Sequence, residues 1–496
     1  MKKYLVTGLA ALMAAAALAT PACKKQETGA TTPKPNETQS VQTGDTTPDT
    51  AITPGNQVNT TNNPGNSLPY NANDMSKIAA FLEQEDDKGV KNGSKFGEKY
   101  SPNDPTTWGT YAFKWEEFNG ELRLAELSLS MGGFSGMLDV TDCTELRVLD
   151  ISFNTEVSGV KLSGNEKLET VNCGMTQAGN IDFSCLSSVK YLIIAGSGEE
   201  GHIDLSHMTE LERFQCYGLA EIDFSSNTKL KVINIQGSYN RKLEALDVTM
   251  LPELEKLVCE KNNIKELDLS NNPKLYELDC RENALTELDV SACSDLQYLY
   301  CSKNKLTSLV LNPALVYLSC DENELPELDV SPCTALNDLL CHQNKLSQLD
   351  LSKNVSLNRL SCGNNPLSKL DLSANAELTD LACSECELTE LNVSRNTKLT
   401  DIVCGYNKLT SLDVSANTEL KRLVCMNNEL TVLDVSANTA LVNLSCSWNK
   451  LTSLILSSHP ELKELNCEKN QLNSIDVTNC PVLTRILADY FCEIIK

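Results

Sequence analysis

A 21-residue period sets the terms for everything this chain can fold into. Leu254, Leu275 and Leu296, then Leu315, Leu336, Leu357, Leu378, Leu399, Leu420, Leu441, Leu462 and Leu483, each open the same pattern. It reads L-x-x-L-x-C-x-x-N-x-L-x-x-L-D-V-S-x-N-x-x, and one clean copy runs from Leu420 to Ala440. The step is 21 residues throughout except for one of 19 between Leu296 and Leu315. Looser copies begin near Leu122, Leu146, Leu168, Val189, Leu211 and Leu230. A unit this short cannot enclose a core by itself. Each copy must bury its apolar edge against its neighbours, which makes the fold a stack.

The pattern dictates how each coil runs. In L-x-x-L-x-C the alternating apolar residues point inward from a short strand, and strands of successive coils lie parallel, ~4.8 Å apart. The following Asn turns the chain, and its amide can satisfy backbone groups in the bend. The half L-x-x-L-D-V-S-x-N returns along the opposite face. Roughly 17 coils at that spacing give a curved rod of about 80 Å. The 19-residue coil shortens only the return segment, at Leu311-Asn312-Pro313-Ala314, and should leave the strand register intact.

Cysteine is abundant, at 21 residues, and its placement explains it. Cys173, Cys216, Cys259, Cys280, Cys301, Cys320, Cys341, Cys362, Cys383, Cys404, Cys425, Cys446 and Cys467 hold one inward position in successive coils. Side chains in register on parallel strands sit about 4.8 Å apart. Disulfides want Cβ atoms about 3.5–4.5 Å apart, so a ladder of buried thiols is expected. Cys143, Cys293, Cys333 and Cys480 replace the Asn of the second half-repeat, and Cys386 that of the first.

This array resembles the leucine-rich repeats of the internalin family, in its cysteine-ladder branch, and the leucine-rich surface lipoproteins of Bacteroidota and related diderms. The resemblance covers about residues 122–487, of which 122–482 would be the solenoid. It implies a right-handed curved leucine-rich-repeat solenoid, of the α/β class but mostly β, with parallel concave strands. It also implies binding of an extracellular protein or glycan at a surface, often in adhesion, without naming the ligand.

The flanks read differently. Lys2 and Lys3 precede an apolar run, Leu5 to Leu18, too short to span a bilayer. It ends at Ala22-Cys23, which resembles a bacterial lipoprotein signal with residues 1–22 removed and Cys23 acylated. An ordinary secretory signal cut near Ala22 is the alternative. The Thr-, Pro- and Asn-rich stretch 23–72 buries too little to fold and is expected to be a disordered tether reaching roughly 40 Å. Asp45-Thr46-Thr47 and Asp49-Thr50-Ala51 resemble a Bacteroidota O-glycosylation acceptor. Residues 73–121 are expected to cap the array. Asn73-Asp74 would start a short helix with Met75, Ile78, Ala79, Phe81 and Leu82 on its apolar face, and Trp108 and Trp115 would pack nearby. Residues 483–496 would form the C-terminal cap. They carry no sorting signal, so the anchor is expected at Cys23. The expected location is the cell envelope, on the outer membrane, at its surface or its periplasmic side, with the membrane engaged through the lipid.

Net charge is −25, which excludes a nucleic-acid partner. No non-repeating cluster of nucleophile, base and orienting group is visible, and His342, His202, His207 and His459 are scattered, so no enzyme, cofactor or metal site is expected. The column Asp268, Asp289, Asp329, Asp350, Asp371, Asp413, Asp434 and Asp476, joined by Asn392, would repel itself by roughly 1 kcal/mol per pair in water. Backbone N–H groups and Ser hydroxyls can offset this, with bridging calcium as the alternative. Candidate ligand contacts are the outward aromatics: Tyr276, Tyr298, Tyr300 and Tyr317 on consecutive coils, and Tyr406, Met426 and Trp448 further along. Exposed Tyr and Trp serve as hot spots and sugar-stacking platforms, whereas Tyr is also simply a good strand residue. A monomer is expected.

Overall fold

From Arg213 onward the strand of each coil is only three residues long, because the chain must leave the sheet again at the cysteine. Typical are Tyr298–Tyr300, Tyr317–Ser319, Asp338–Leu340 and Arg422–Val424, each with its central Leu buried. In the computed structural model, which describes residues 68–109, 111–177, 181–194 and 202–496, these strands join one 19-stranded sheet. Residues 1–67, with the expected leader, Cys23 and most of the tether, lie outside the described residues.

Pairing is parallel and strictly coil to coil. Leu278 pairs with Leu299, Leu299 with Leu318, Leu318 with Leu339 and Leu423 with Leu444. The 19-residue coil leaves this register undisturbed. Its missing two residues fall after Leu311, so that Asn312 still reaches the Cys293 carbonyl at 2.8 Å. Short second strands, such as Glu287–Asp289 with Ser308–Val310, line the return side.

Asparagine holds the coils together twice per repeat. After the cysteine, Asn428 donates to the carbonyls of Cys404 and Cys425, both at 3.1 Å, and accepts the Leu409 amide at 3.0 Å. One side chain thus satisfies three buried backbone groups that the turn would otherwise orphan. In the return half, Asn417 donates to the carbonyls of Val393 and Asn396. There Cys293, Cys333 and His459 stand in for Asn, donating to Leu269, Asn312 and Val435 carbonyls respectively.

The cysteines from Cys143 to Cys492 are all free thiols, and apart from half-buried Cys185 all are buried. The aspartate column is balanced by its own backbone: Asp350, Asp371 and Asp413 each accept the amide of the Ser two residues on at 2.9 Å. Asn392 does the same for Ser394 at 3.1 Å.

At the N-terminal end, helix α1 (Ala72–Leu82) packs Ile78, Phe81 and Leu82 inward. It is capped by Asn71, whose side chain accepts from the amides of Asn73 and Asp74, two residues earlier than the sequence pattern places the start. Asp74 is instead buried, pairing with Arg123 at 2.8 Å and accepting the Leu124 amide at 3.0 Å. Strand β1 (Phe113–Phe118) runs antiparallel to β2 (Glu121–Ser128), the first strand of the stack. Trp108 is fully buried against Phe113. Among the described residues no helix is long and apolar enough to cross a membrane.

Candidate ligand-binding face

Register alone gathers the first set of aromatics. Tyr298 and Tyr317 are direct partners across neighbouring strands, and Tyr300 lies two residues beyond Tyr298 on the same face. The closest ring contact, however, is the diagonal one: Tyr300 and Tyr317 have centroids 4.9 Å apart, tilted by 37°. Diagonal neighbours lie within reach of aromatic side chains even when direct partners diverge. The patch is also less open than the sequence implies. Tyr298, Tyr300 and Tyr317 are half-buried, because rings on strands this close cover one another. Tyr276, at its edge just before the strand Glu277–Asp279, is 40% exposed.

One of the rings also meets a fixed cation. The Arg281 guanidinium lies 5.4 Å from the Tyr300 centroid. Asp279 clamps it through two contacts, at 2.9 and 2.6 Å, and Glu260 adds a third at 3.4 Å. A cation fixed over an aromatic face orders both. Burial raises the phenol pKa of Tyr300 and of Tyr317, so both rings keep their hydroxyl protons at neutral pH.

Sequence reasoning missed the continuation of this column. Asp338, Arg359, Asp380, Asp401 and Arg422 follow Tyr317 in unbroken register. Asp338 pairs with Arg359 at 3.2 Å and Asp401 with Arg422 at 3.1 Å. Burial pushes the carboxyls of Asp338 and Asp401 above the ordinary range, partly offset by those arginines. Charged residues two positions after the opening Leu were the available signal.

Next to the tyrosines, Ser302 and Ser319 both donate to Asp321 at 2.8 Å. Ligand atoms of Asp321, Glu322 and His342 lie within 4.8 Å of one another, and this is where a cation could be held. The two serine hydroxyls already satisfy one oxygen of Asp321.

The second set is placed differently from the expectation. Tyr406 and Trp448 are not on the strand face. Each lies two residues past its cysteine, in the turn, with φ of 55°. Met426 directly follows Cys425 and so belongs to a different column. The strand ends before these positions, at Val403, Val424 and Ser445.

Among the described residues, His207 and His459 meet backbone carbonyls, and His202 and His342 face carboxylates.

Neither a protein-family model nor a curated protein matches the chain. Solved structures do. The functional domain of InlJ from Listeria monocytogenes, which includes a cysteine ladder, superposes with a TM-score of 0.57 at 29% identity, over 71% of this chain and 74% of that one. The fold is the leucine-rich-repeat solenoid. A leucine-rich-repeat protein of Leptospira interrogans matches with a TM-score of 0.56 at 22% identity, over 62% of this chain and 86% of its own. The leucine-rich-repeat ectodomain of the Arabidopsis thaliana receptor kinase GASSHO1/SCHENGEN3 matches with 0.56 at 20%, over 85% of this chain and 61% of its own. That ectodomain is in complex with CASPARIAN STRIP INTEGRITY FACTOR 2. Internalin-type neighbours thus share the leucine-rich-repeat architecture, and with InlJ also the cysteine ladder.

Proposed function

We propose that this leucine-rich-repeat array binds an extracellular polypeptide on its strand face, centred on Tyr298, Tyr300 and Tyr317, in adhesion or host contact. One observation carries the reading: three tyrosines on two adjacent strands, with the Tyr300–Tyr317 pair at 4.9 Å and an arginine locked over it. Rigid aromatic anchors lose little side-chain entropy on binding and dominate interface energetics. Asp321 and Glu322 lie beside the patch and favour a neutral or basic partner, while the charges of Asp279 and Asp338 are matched by Arg281 and Arg359. The GASSHO1 complex supports the use of such an array for a protein ligand. A screen of the purified array against extracellular proteins identifies the partner. Tyr298→Ala with Tyr317→Ala should then weaken binding at least about tenfold, with the array still folded by circular dichroism. Wild-type affinity in that double variant would remove the patch from the function.

We further propose that the array stands at the cell envelope, acylated at Cys23 and held off the membrane by residues 24–72. Cys23→Ser should move the protein from the detergent phase to the aqueous phase on phase partitioning. Digestion of the protein by protease added to intact cells would place it on the surface, and protection would place it on the periplasmic side.

A further inference from the structure

Tyr406 and Trp448 occupy a position that the fold gives no reason to make aromatic. The residue two past each ladder cysteine has left-handed backbone in coil after coil, as at Lys261, Glu282, Lys303, Gln343, Glu385 and Lys469. Those six are polar, as are Glu322, Asn364 and Asn427, whereas Met175 and, in the first coils, Met131 and Phe153 are apolar. Bulky side chains are disfavoured at positive φ, where Asn and Gly are favoured. Strand propensity cannot account for Tyr406 and Trp448, because neither is in a strand. Burial cannot either: they are 49% and 56% exposed. The left-handed φ is common to the whole column, and what sets these two apart is a large, solvent-facing aromatic ring on alternate coils.

Their spacing narrows the ligand. The turns are hydrogen-bonded coil to coil, Tyr406 N–H to the Met426 carbonyl and Trp448 N–H to the Glu468 carbonyl, both at 2.9 Å. The two aromatics are therefore two coil steps apart, ~10 Å. Between them stands Asn427, exposed, with an amide that both donates and accepts. Beside Trp448, Ser447 is only 2% exposed, and its hydroxyl has no hydrogen-bond partner among the described residues. Lys469 lies 5.8 Å from the Trp448 centroid, on one face of a ring that stays more than half exposed.

We infer that Tyr406, Asn427 and Trp448 form a stacking ridge for a β-1,4-linked polysaccharide. Alternate sugar rings would stack their C–H faces on Tyr406 and Trp448, and the intervening sugar would hydrogen-bond the Asn427 amide. A linear glycan is the chemistry that repeats along its length at the advance of two coils and offers an apolar face and polar rim at each step. This ridge lies on the turn and is separate from the tyrosine patch proposed to bind protein.

The test is native affinity electrophoresis of the full chain in gels containing hydroxyethyl cellulose, glucomannan or glycol chitin. Retardation by at least one polymer is expected. Tyr406→Asn with Trp448→Asn should weaken it at least about tenfold. Asn is the residue this backbone position favours, so the variant should fold at least as well as the parent. Tyr298→Ala with Tyr317→Ala should leave retardation unchanged. Trp448 is the one exposed tryptophan of the three, Trp108 being buried and Trp115 half-buried, so soluble oligosaccharide should also change the intrinsic fluorescence. Unaltered migration in all three gels overturns the inference. So does retardation that survives the double Asn variant, or a ridge that proves necessary only for a protein partner.

Discussion

Asn417 donates its side-chain amide to the backbone carbonyl of Asn396, its equivalent one coil earlier, at 2.8 Å. Its own Oδ1 has no partner among the described residues, and the same holds for Asn272, Asn354, Asn375, Asn396 and Asn438. The return-half position thus needs a donor and nothing more. That is why a thiol at Cys333 and an imidazole at His459 can occupy it. Asn417→Asp keeps the shape but removes the donor and buries a carboxylate. It should cost ~3 kcal/mol or more, whereas Asn417→Cys should cost about 1 kcal/mol. Urea unfolding of the two variants measures the difference. Equal losses would mean the donor is not what the position requires.

The position after the ladder cysteine has the stricter demand, because its Asn both donates and accepts. Cys386 breaks the series there. Its thiol still donates to the Cys362 carbonyl at 3.3 Å, but it offers no oxygen to the Leu367 amide, which folds back to the Asn365 carbonyl at 2.8 Å. Ser368 is pushed to a φ of 56°. Cys386→Asn should restore the bridge seen between Leu346 and Asn365 at 3.0 Å and stabilise the array by about 1 kcal/mol. A lower melting temperature for the variant would show that the irregular turn is preferred in place.

Much of this was readable from the repeat. A period of 21 with inward Leu and Cys sets the strand register, and the Asn slots could be assigned one by one, including the one filled by His459. The path of the chain past the cysteine was not readable. In L-x-x-L-x-C-x-x-N nothing marks where the strand stops, and polarity does not encode the sign of φ, so Tyr406 and Trp448 read as strand residues. The half-burial of Tyr298, Tyr300 and Tyr317 was hidden for another reason. Alternation predicts which face a side chain takes, not how far large rings on strands ~4.8 Å apart will cover one another. At the N-terminus, two Asn residues within three positions, Asn71 and Asn73, both suit a cap, and only the packed helix selects Asn71.

The thiol ladder makes its own prediction. Burial pushes the Cys404 thiol up to about 12, so almost none of it is thiolate at neutral pH. Native protein should resist alkylation along the ladder, with half-buried Cys185 labelled first. Unfolding without reductant should expose every cysteine from Cys143 to Cys492 as a reactive thiol. Ladder cysteines that remain unlabelled after unfolding would reveal disulfides. Cys404→Ala should cost on the order of 1–3 kcal/mol through the cavity it leaves.

The aspartates of the return face tie stability to acid pH. Accepting the amide and hydroxyl of the following Ser holds Asp350, Asp371 and Asp413 below the ordinary carboxylate range. A depressed folded-state pKa means the unfolded chain takes up protons first. The stabilising contribution is then complete above the unfolded value of ~3.9 and is lost as pH falls through the lower folded values. Asp338 and Asp401, raised by burial, act in the opposite sense: what they contribute is complete below the ordinary range and is lost as pH rises through their raised values. Thermal melts should therefore fall steeply below about pH 4. Asn392 shows that an amide caps the same turn without titrating, accepting the Ser394 amide at 3.1 Å. Asp350→Asn with Asp371→Asn and Asp413→Asn should keep the neutral-pH melting temperature close to the parent's and make the acid limb shallower. An unchanged acid limb would place the proton uptake elsewhere in the array.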